Sequence, residues 1–327
     1  SFTSLTRTRD AADGVIVDLV PPPPAVGGGI DEPEALDGDD PAPMDSPVVA
    51  RAGLPNALLA GLPAGTAFGT FVHAVLEEID PTSPELETAL ADAVSRQWRR
   101  DRLDVDQTLL VHGLAAAVRT PLGPIADGLR LADLPPTDRL AELTFDLPLV
   151  DTRRAFSARS LGEVLVSTLA ADDPLRPYAD RLAAGRFDVD LAGYLQGSID
   201  AVLRVPATEG GHRYLVVDYK SNRLHVPGAP DPLAAYRADL LVAAMEHHDY
   251  PLQALLYSVA LHRYLRWRLP GYHPEHHLGG IAYLFVRGMA GPATPFHEGC
   301  PAGVFAWRPP AATIVGLDRL LSTGVAP

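Results

Sequence analysis

The chain has 327 residues, 47% of them apolar, and a formal charge of −14. That length allows one large domain or two small ones with a sizeable core, and no apolar run approaches the ~18 residues of a membrane-spanning helix. The acidic balance argues against a generally basic nucleic-acid binder. The single Cys300 excludes both a disulfide framework and a four-cysteine metal or iron–sulfur site, so a reducing cytoplasm fits best.

The charge is unevenly placed. Residues 1–50 hold ten acidic residues against Arg7 and Arg9, a net −8, which leaves −6 for the rest. Residues 1–19 open with Ser1-Phe-Thr-Ser-Leu5 and are expected to pack on the main body. Residues 20–50 contain Pro21-Pro-Pro-Pro24, Gly27-Gly-Gly29 and the acidic stretch through Asp45. This is the composition of a disordered linker or insertion. From 51 to 327 the composition becomes that of a folded domain.

A helix is predicted over 70–80, because Val72, Val75, Leu76 and Ile79 recur at helical spacing. His73, Glu77 and Asp80 form a polar stripe opposite them, either a solvated face or a source of ligands. Gly65 and Gly69 ahead of it imply close backbone approach. Helices follow over 84–100 and 105–118. Arg96, Arg99, Arg100 and Arg102 near Trp98 read as a solvated helix face, with DNA or a partner subunit as the alternative. Strand patterns lie around 140–152, 194–205 and 213–220, the last two joined by the turn-rich Pro206-Ala-Thr-Glu-Gly-Gly-His212. Residues 232–268 read as helical with a break near Tyr250-Pro251, and 280–286 as a buried strand. Alternating helices and strands predict an α/β domain with a mixed central sheet flanked by helices.

The chemistry gathers at Asp218-Tyr219-Lys220. Side chains alternate along a strand, so Asp218 and Lys220 share a face, and Asp200 can stand beside them if the two strands pair. Two carboxylates and an ammonium suit metal-dependent phosphodiester hydrolysis, although a plain Asp218–Lys220 salt bridge has the same spacing. His73 could add a nitrogen ligand for Mg²⁺ or Mn²⁺. Tyr250, Gln253 and Tyr257 line one helix face, able to bond a phosphate or stack a base, or else facing the core. His273, His276 and His277 fall in a predicted loop and lack a convincing fourth zinc ligand. No Gly-x-x-x-x-Gly-Lys-Ser/Thr motif is present, so the sequence carries no ATP-binding P-loop.

The ordered set Gly69-Thr-Phe-Val-His73, Gly197-Ser-Ile-Asp200, Asp218-Tyr-Lys220-Ser-Asn222, Tyr250-Pro-Leu-Gln253-x-x-x-Tyr257 and Gly279-Gly-Ile-Ala-Tyr-Leu-Phe-Val-Arg-Gly288 resembles the RecB-type nuclease domains of the PD-(D/E)xK restriction-endonuclease-like superfamily. The resemblance covers roughly residues 51–300. It implies a restriction-endonuclease-like sheet and a DNA nuclease acting on single strands and helicase-unwound ends in recombinational repair. It further implies a metal held by His73, Asp200, Asp218 and the Tyr219 main-chain carbonyl, with Lys220 as catalytic lysine. Gln253, Tyr257 and Glu77 would support the site. Mg²⁺ is the implied cofactor, with Mn²⁺ as an alternative and Ca²⁺ as a non-catalytic substitute. The implied partners are DNA, a helicase portion of the same parent chain, RecC- and RecD-type subunits and a RecA-type recombinase. No membrane is involved, and the sequence reads as an excised C-terminal part of such a chain. The competing reading is a degenerate nuclease fold that binds DNA or docks the recombinase without cutting. Such a module is expected to have lost the Asp/Asp/Lys set, which this chain retains.

Overall fold

The computed structural model of the chain describes residues 57–149, 156–185, 190–191, 194–208, 210–226, 229 and 231–325. The expected N-terminal segment and the acidic 20–50 stretch lie outside them.

Three helices come first: α1 (Thr66–Glu78), α2 (Leu86–Arg100) and α3 (Gln107–Val118). The edge strand β1 (Arg139–Pro148) follows, then the short β2 (Phe156–Ser157), α4 (Ala158–Thr168), α5 (Arg176–Ala183) and the short β3 (Asp190–Leu191). The long hairpin β4 (Tyr194–Pro206) and β5 (His212–Lys220) turns through Gly210 and Gly211, both with positive φ. Two helices, α6 (Ala238–His247) and α7 (Tyr250–Arg268), and the short α8 (Pro274–His277) lead to β6 (Leu278–Phe285). The short β7 (Phe296–His297) and β8 (Cys300–Pro301), then β9 (Val304–Trp307) and α9 (Ala311–Thr323), close the chain. No described helix is long and apolar enough to cross a membrane.

The main sheet has five strands in the order β1-β4-β5-β6-β9. Only β5 and β6 pair in parallel; the other pairings are antiparallel. A parallel pair needs a crossover, and the chain between β5 and β6 supplies it with α6, α7 and α8. The expected mixed sheet flanked by helices is therefore the observed architecture. Both faces are covered, so the central β5 and β6 are almost wholly buried, and β6 is apolar throughout, as a strand buried on both sides is expected to be. The edge strand β1 instead alternates partly buried and exposed positions along most of its length.

Two cores result. On one face Ala201, Leu203, Val205, Leu215, Val217 and Tyr219 pack with Phe68, Phe71, Val72 and Val75 of α1 and with α2 and α3. On the other, Val202, Val216, Ile281, Tyr283 and Phe285 pack with α4, α5, α6, α7 and α9. Each fully buried Val, Leu, Ile or Phe side chain among them stabilises by about 1.5–3 kcal/mol relative to exposure. Regular alternation would place Ile199 with Ala201, yet Ile199 lies in the second core. The facing of β4 therefore switches at Asp200. At this point the β1–β4 pairing also lapses: Ala141 pairs Ala201 and Leu143 pairs Ile199, while Glu142, directly across from Asp200, has φ 49. A left-handed glutamate inside a strand is uncommon and stores backbone strain.

Several boundaries differ from expectation. The first helix begins at Thr66, because Gly65 with φ 111 supplies a turn that other residues adopt poorly. It ends at Glu78, so Asp80 leaves the polar stripe and instead accepts from the Thr82 amide. The histidine-bearing segment is a short helical turn rather than a loop. The break before α7 falls at Asp249, in the left-handed region, with Pro251 in the first turn where its missing N–H costs nothing.

Candidate active site

Strand β5 ends in Asp218, Tyr219 and Lys220. Lys220 Nζ lies 2.8 Å from Asp218 Oδ2, and the two side chains are 0% and 2% exposed. A buried ammonium is costly unless it is paired and hydrogen-bonded, and helix α7 supplies further partners. Gln253 Oε1 accepts from Lys220 Nζ at 3.3 Å and from the Tyr283 hydroxyl at 2.9 Å. Gln253 Nε2 in turn donates to the Tyr257 hydroxyl at 3.1 Å. The ammonium also stands over the Tyr250 ring at 4.0 Å and the Tyr283 ring at 5.3 Å, contacts that become stronger when desolvated. The predicted Gln253–Tyr257 face thus points inward and holds Lys220.

Asp200 and His73 form the second half of the site. Asp200 Oδ2 accepts the Tyr219 backbone N–H at 2.7 Å, and its Oδ1 lies 3.3 Å from His73 Nδ1. Burial opposes the charge on Asp200, but the His73 ring, the Tyr219 amide and the more distant Lys220 together hold its carboxyl below the usual range. The β4–β5 register ends at Ala201↔Val217, so Asp200 and Asp218 are the next residues along both strands. Strand pairing sets the two residues across from each other, and regular alternation would put both carboxylates on one sheet face. The switch at Asp200, however, turns its carboxylate towards His73 and α1, whereas Asp218 and Lys220 keep the Val216 face beside α7.

Helix α1 is anchored at both ends of this arrangement. A Cβ on Gly69 would come within 3.1 Å of Ser221 Oγ, so the bare glycine lets the helix pack closely on the end of β5, and a side chain there would push Ser221 aside by a few tenths of an ångström. At the other end Arg139 donates to the carbonyls of Ile79 and Leu76, a favourable place for a cation. On the same helix face as His73 lies Glu77. Burial, then a hydrogen bond with Glu142 and the charges of Glu142 and Asp200, push its carboxyl above the usual range against the pull of Arg139. Glu142 is the site residue that the sequence reading passed over. In the sequence it is one more polar position on an edge strand. Only its left-handed backbone and its place opposite Asp200 set it apart.

A raised Glu77 favours its proton in the folded chain, so folding loses stability as pH rises through the raised value. Glu77→Gln removes that penalty. Thermal melts in EDTA should show the variant slightly more stable than the parent at pH 7, with the difference closing towards about pH 4. A glutamine variant that melts lower at neutral pH would contradict the carboxylate crowding.

The remaining candidates lie elsewhere. Arg96 pairs with Glu78 at 2.5 Å, and the Arg102 guanidinium stands 4.3 Å from the Trp98 ring. Arg99 and Arg100 are exposed in the last turn of α2. His277 Nδ1 accepts the His273 backbone N–H at 3.0 Å.

Two carboxylates from neighbouring strands and an imidazole are oxygen-rich donors that suit a hard divalent cation. Asp200 and His73, 19% and 31% exposed, leave this side open to a cation and its waters. Among the described residues, no three His, Cys, Asp or Glu side chains already stand together as a metal-binding group. Asp218 instead holds Lys220. The donor set fits such an ion in kind.

Sheet order, the Asp218-x-Lys220 strand end and the flanking helices are those of a nuclease class, and the family comparison agrees. The PD-(D/E)XK nuclease superfamily matches residues 50–302, and the chain belongs to it. It is 48% identical over 99% of its length to the RecBCD enzyme subunit RecB of Mycobacterium tuberculosis, and 48% over 89% to that of Mycolicibacterium smegmatis. To the same subunit of Escherichia coli it is 32% identical over 80% of its length. These matches bear out the RecB-type resemblance. The chain spans only 28%, 27% and 19% of those three relatives.

Proposed function

We propose that this chain is the Mg²⁺-dependent DNA nuclease domain of a RecB-type helicase–nuclease, acting in the cytoplasm. Its substrates are single-stranded DNA and duplex ends unwound by the helicase portion of the same parent chain, in double-strand-break repair. RecC- and RecD-type subunits and a RecA-type recombinase are its proposed partners. The observation that carries this reading is the buried Asp218–Lys220 pair set beside Asp200 and His73 at the ends of paired strands.

In this proposal His73, Asp200, Asp218 and the Tyr219 carbonyl hold the cation. Bound there, Mg²⁺ would supply charge neutralisation for the phosphoryl group. Lys220 orients the attacking water and stabilises developing negative charge, an effect that depends on a preorganised, water-poor position. Gln253, Tyr283 and Tyr250 hold its ammonium in place, and Tyr257 fixes the Gln253 amide. Glu142, across from Asp200, adds a further carboxylate at the open side, with Glu77 behind it.

The net charge of −14 gives the chain little general attraction for phosphate. Single strands, which can bend into the strand-end site, should therefore be cut in preference to duplex. The test is cleavage of end-labelled single-stranded and duplex DNA by the purified chain, in Mg²⁺ and in EDTA. Cleavage of the single strand that requires Mg²⁺ supports the reading. DNA binding without any cleavage would leave the non-cutting module in its place. Equal cutting of intact duplex would show that the chain carries its own duplex-capture surface.

A further inference from the structure

Arg287 follows β6 in the turn Val286–Gly288 and is 1% exposed, among the largest fully buried side chains of the molecule. Its Nε donates to the Ser221 carbonyl at 2.6 Å. Nη1 donates to the carbonyls of Leu59 and Leu62, and Nη2 to that of Pro63. The Phe68 ring lies 4.5 Å from the guanidinium. One side chain therefore joins two pieces of backbone far apart in sequence. Ser221 directly follows Lys220, and Leu59, Leu62 and Pro63 belong to the turn that leads into α1. Gly69 packs against Ser221 one helical turn before His73, so whatever fixes that turn on Ser221 also fixes the height of His73 above Asp200.

We propose that Arg287 is a positioning residue for the cation site: it registers α1 against the end of β5 and thereby sets His73 beside Asp200. The proposal rests on the ligand assignment given above. A planar fork with donors on three nitrogens is needed to reach carbonyls of both segments at once, and a lysine ammonium, a single point on a flexible stem, cannot span them. Groups that orient a ligand without touching the ion typically alter affinity by about 10–100-fold.

The test is calorimetric titration of the metal-free chain with Ca²⁺, alongside thermal melts, for the parent, Arg287→Lys, His73→Ala and the double variant. Arg287→Lys should fold and bind Ca²⁺ at least about tenfold more weakly. The double variant should bind no more weakly than His73→Ala alone, because both changes remove the same ligand, whereas independent effects would add. Unchanged affinity in folded Arg287→Lys, or additive losses, overturns the proposal while leaving the cation site intact. A parent chain that binds no Ca²⁺ overturns the ligand assignment as well. If Arg287→Lys does not fold, Arg223→Gln takes its place. Arg223 is exposed and donates to the same Leu62 carbonyl at 2.5 Å. A smaller loss of Ca²⁺ affinity is expected there, and none would overturn the proposal.

Discussion

If Asp218 holds the cation as proposed, Asp218→Asn should lower Mg²⁺-dependent cleavage of single-stranded DNA by more than about a hundredfold, since it would neutralise one of the proposed ligands. Asp218→Ala should do the same and also destabilise the fold. The reason is Lys220: its side chain is 0% exposed and lies 2.8 Å from the Asp218 carboxylate. Removing one member of a buried ion pair strands the other and costs about 3–5 kcal/mol. Gln253 and the Tyr250 ring still face the ammonium, which places the loss towards the lower end of that range. Adding Lys220→Met to Asp218→Ala should restore most of the stability and none of the cleavage. Guanidinium unfolding and an end-labelled oligonucleotide assay separate the two effects. A folded Asp218→Asn protein that cuts at the parental rate would remove Asp218 from the site.

Lys220→Met should reduce turnover by about 10²–10³-fold, the usual effect of losing one group aimed at developing charge, while Ca²⁺ and DNA binding persist. Its stability should depend on metal in a distinctive way. Without the ammonium, the Asp218 carboxylate, 2% exposed, has lost its nearest counter-charge. A bound divalent cation replaces that counter-charge, and a ligand that binds only the folded state raises stability by mass action. The rise in melting temperature on adding Ca²⁺ should therefore be larger for Lys220→Met than for the parent. Equal shifts would mean that the cation does not engage Asp218. Full turnover with weakened DNA binding would reassign Lys220 to holding phosphate.

Much of this molecule can be read from local pattern. Alternating and continuous apolar runs mark β4, β5 and β6, and helical spacing marks α1 to α3, because periodicity reports which face is buried whatever the partner. The Asp218-x-Lys220 face follows from strand geometry alone, and the buried pair forms as that geometry requires. The inward face of Gln253 and Tyr257 needed α7 to be enclosed on nearly every side, a fact of packing rather than of spacing. Three further features were decided only by tertiary structure. Asp200 turns towards His73 because β4 changes facing where its pairing with β1 lapses, and an even alternation read along the sequence has no way to register that switch. Glu142 joins the site because it lies across from that same residue in a left-handed conformation. Arg287 reaches carbonyls more than two hundred residues earlier in the chain. The sequence by itself determines which segments carry the candidate site residues, since strand and helix periodicities are local. Where Asp200, Glu142 and Arg287 act is set by contacts between distant segments, which exist only once the sheet has paired and α1 has docked on it.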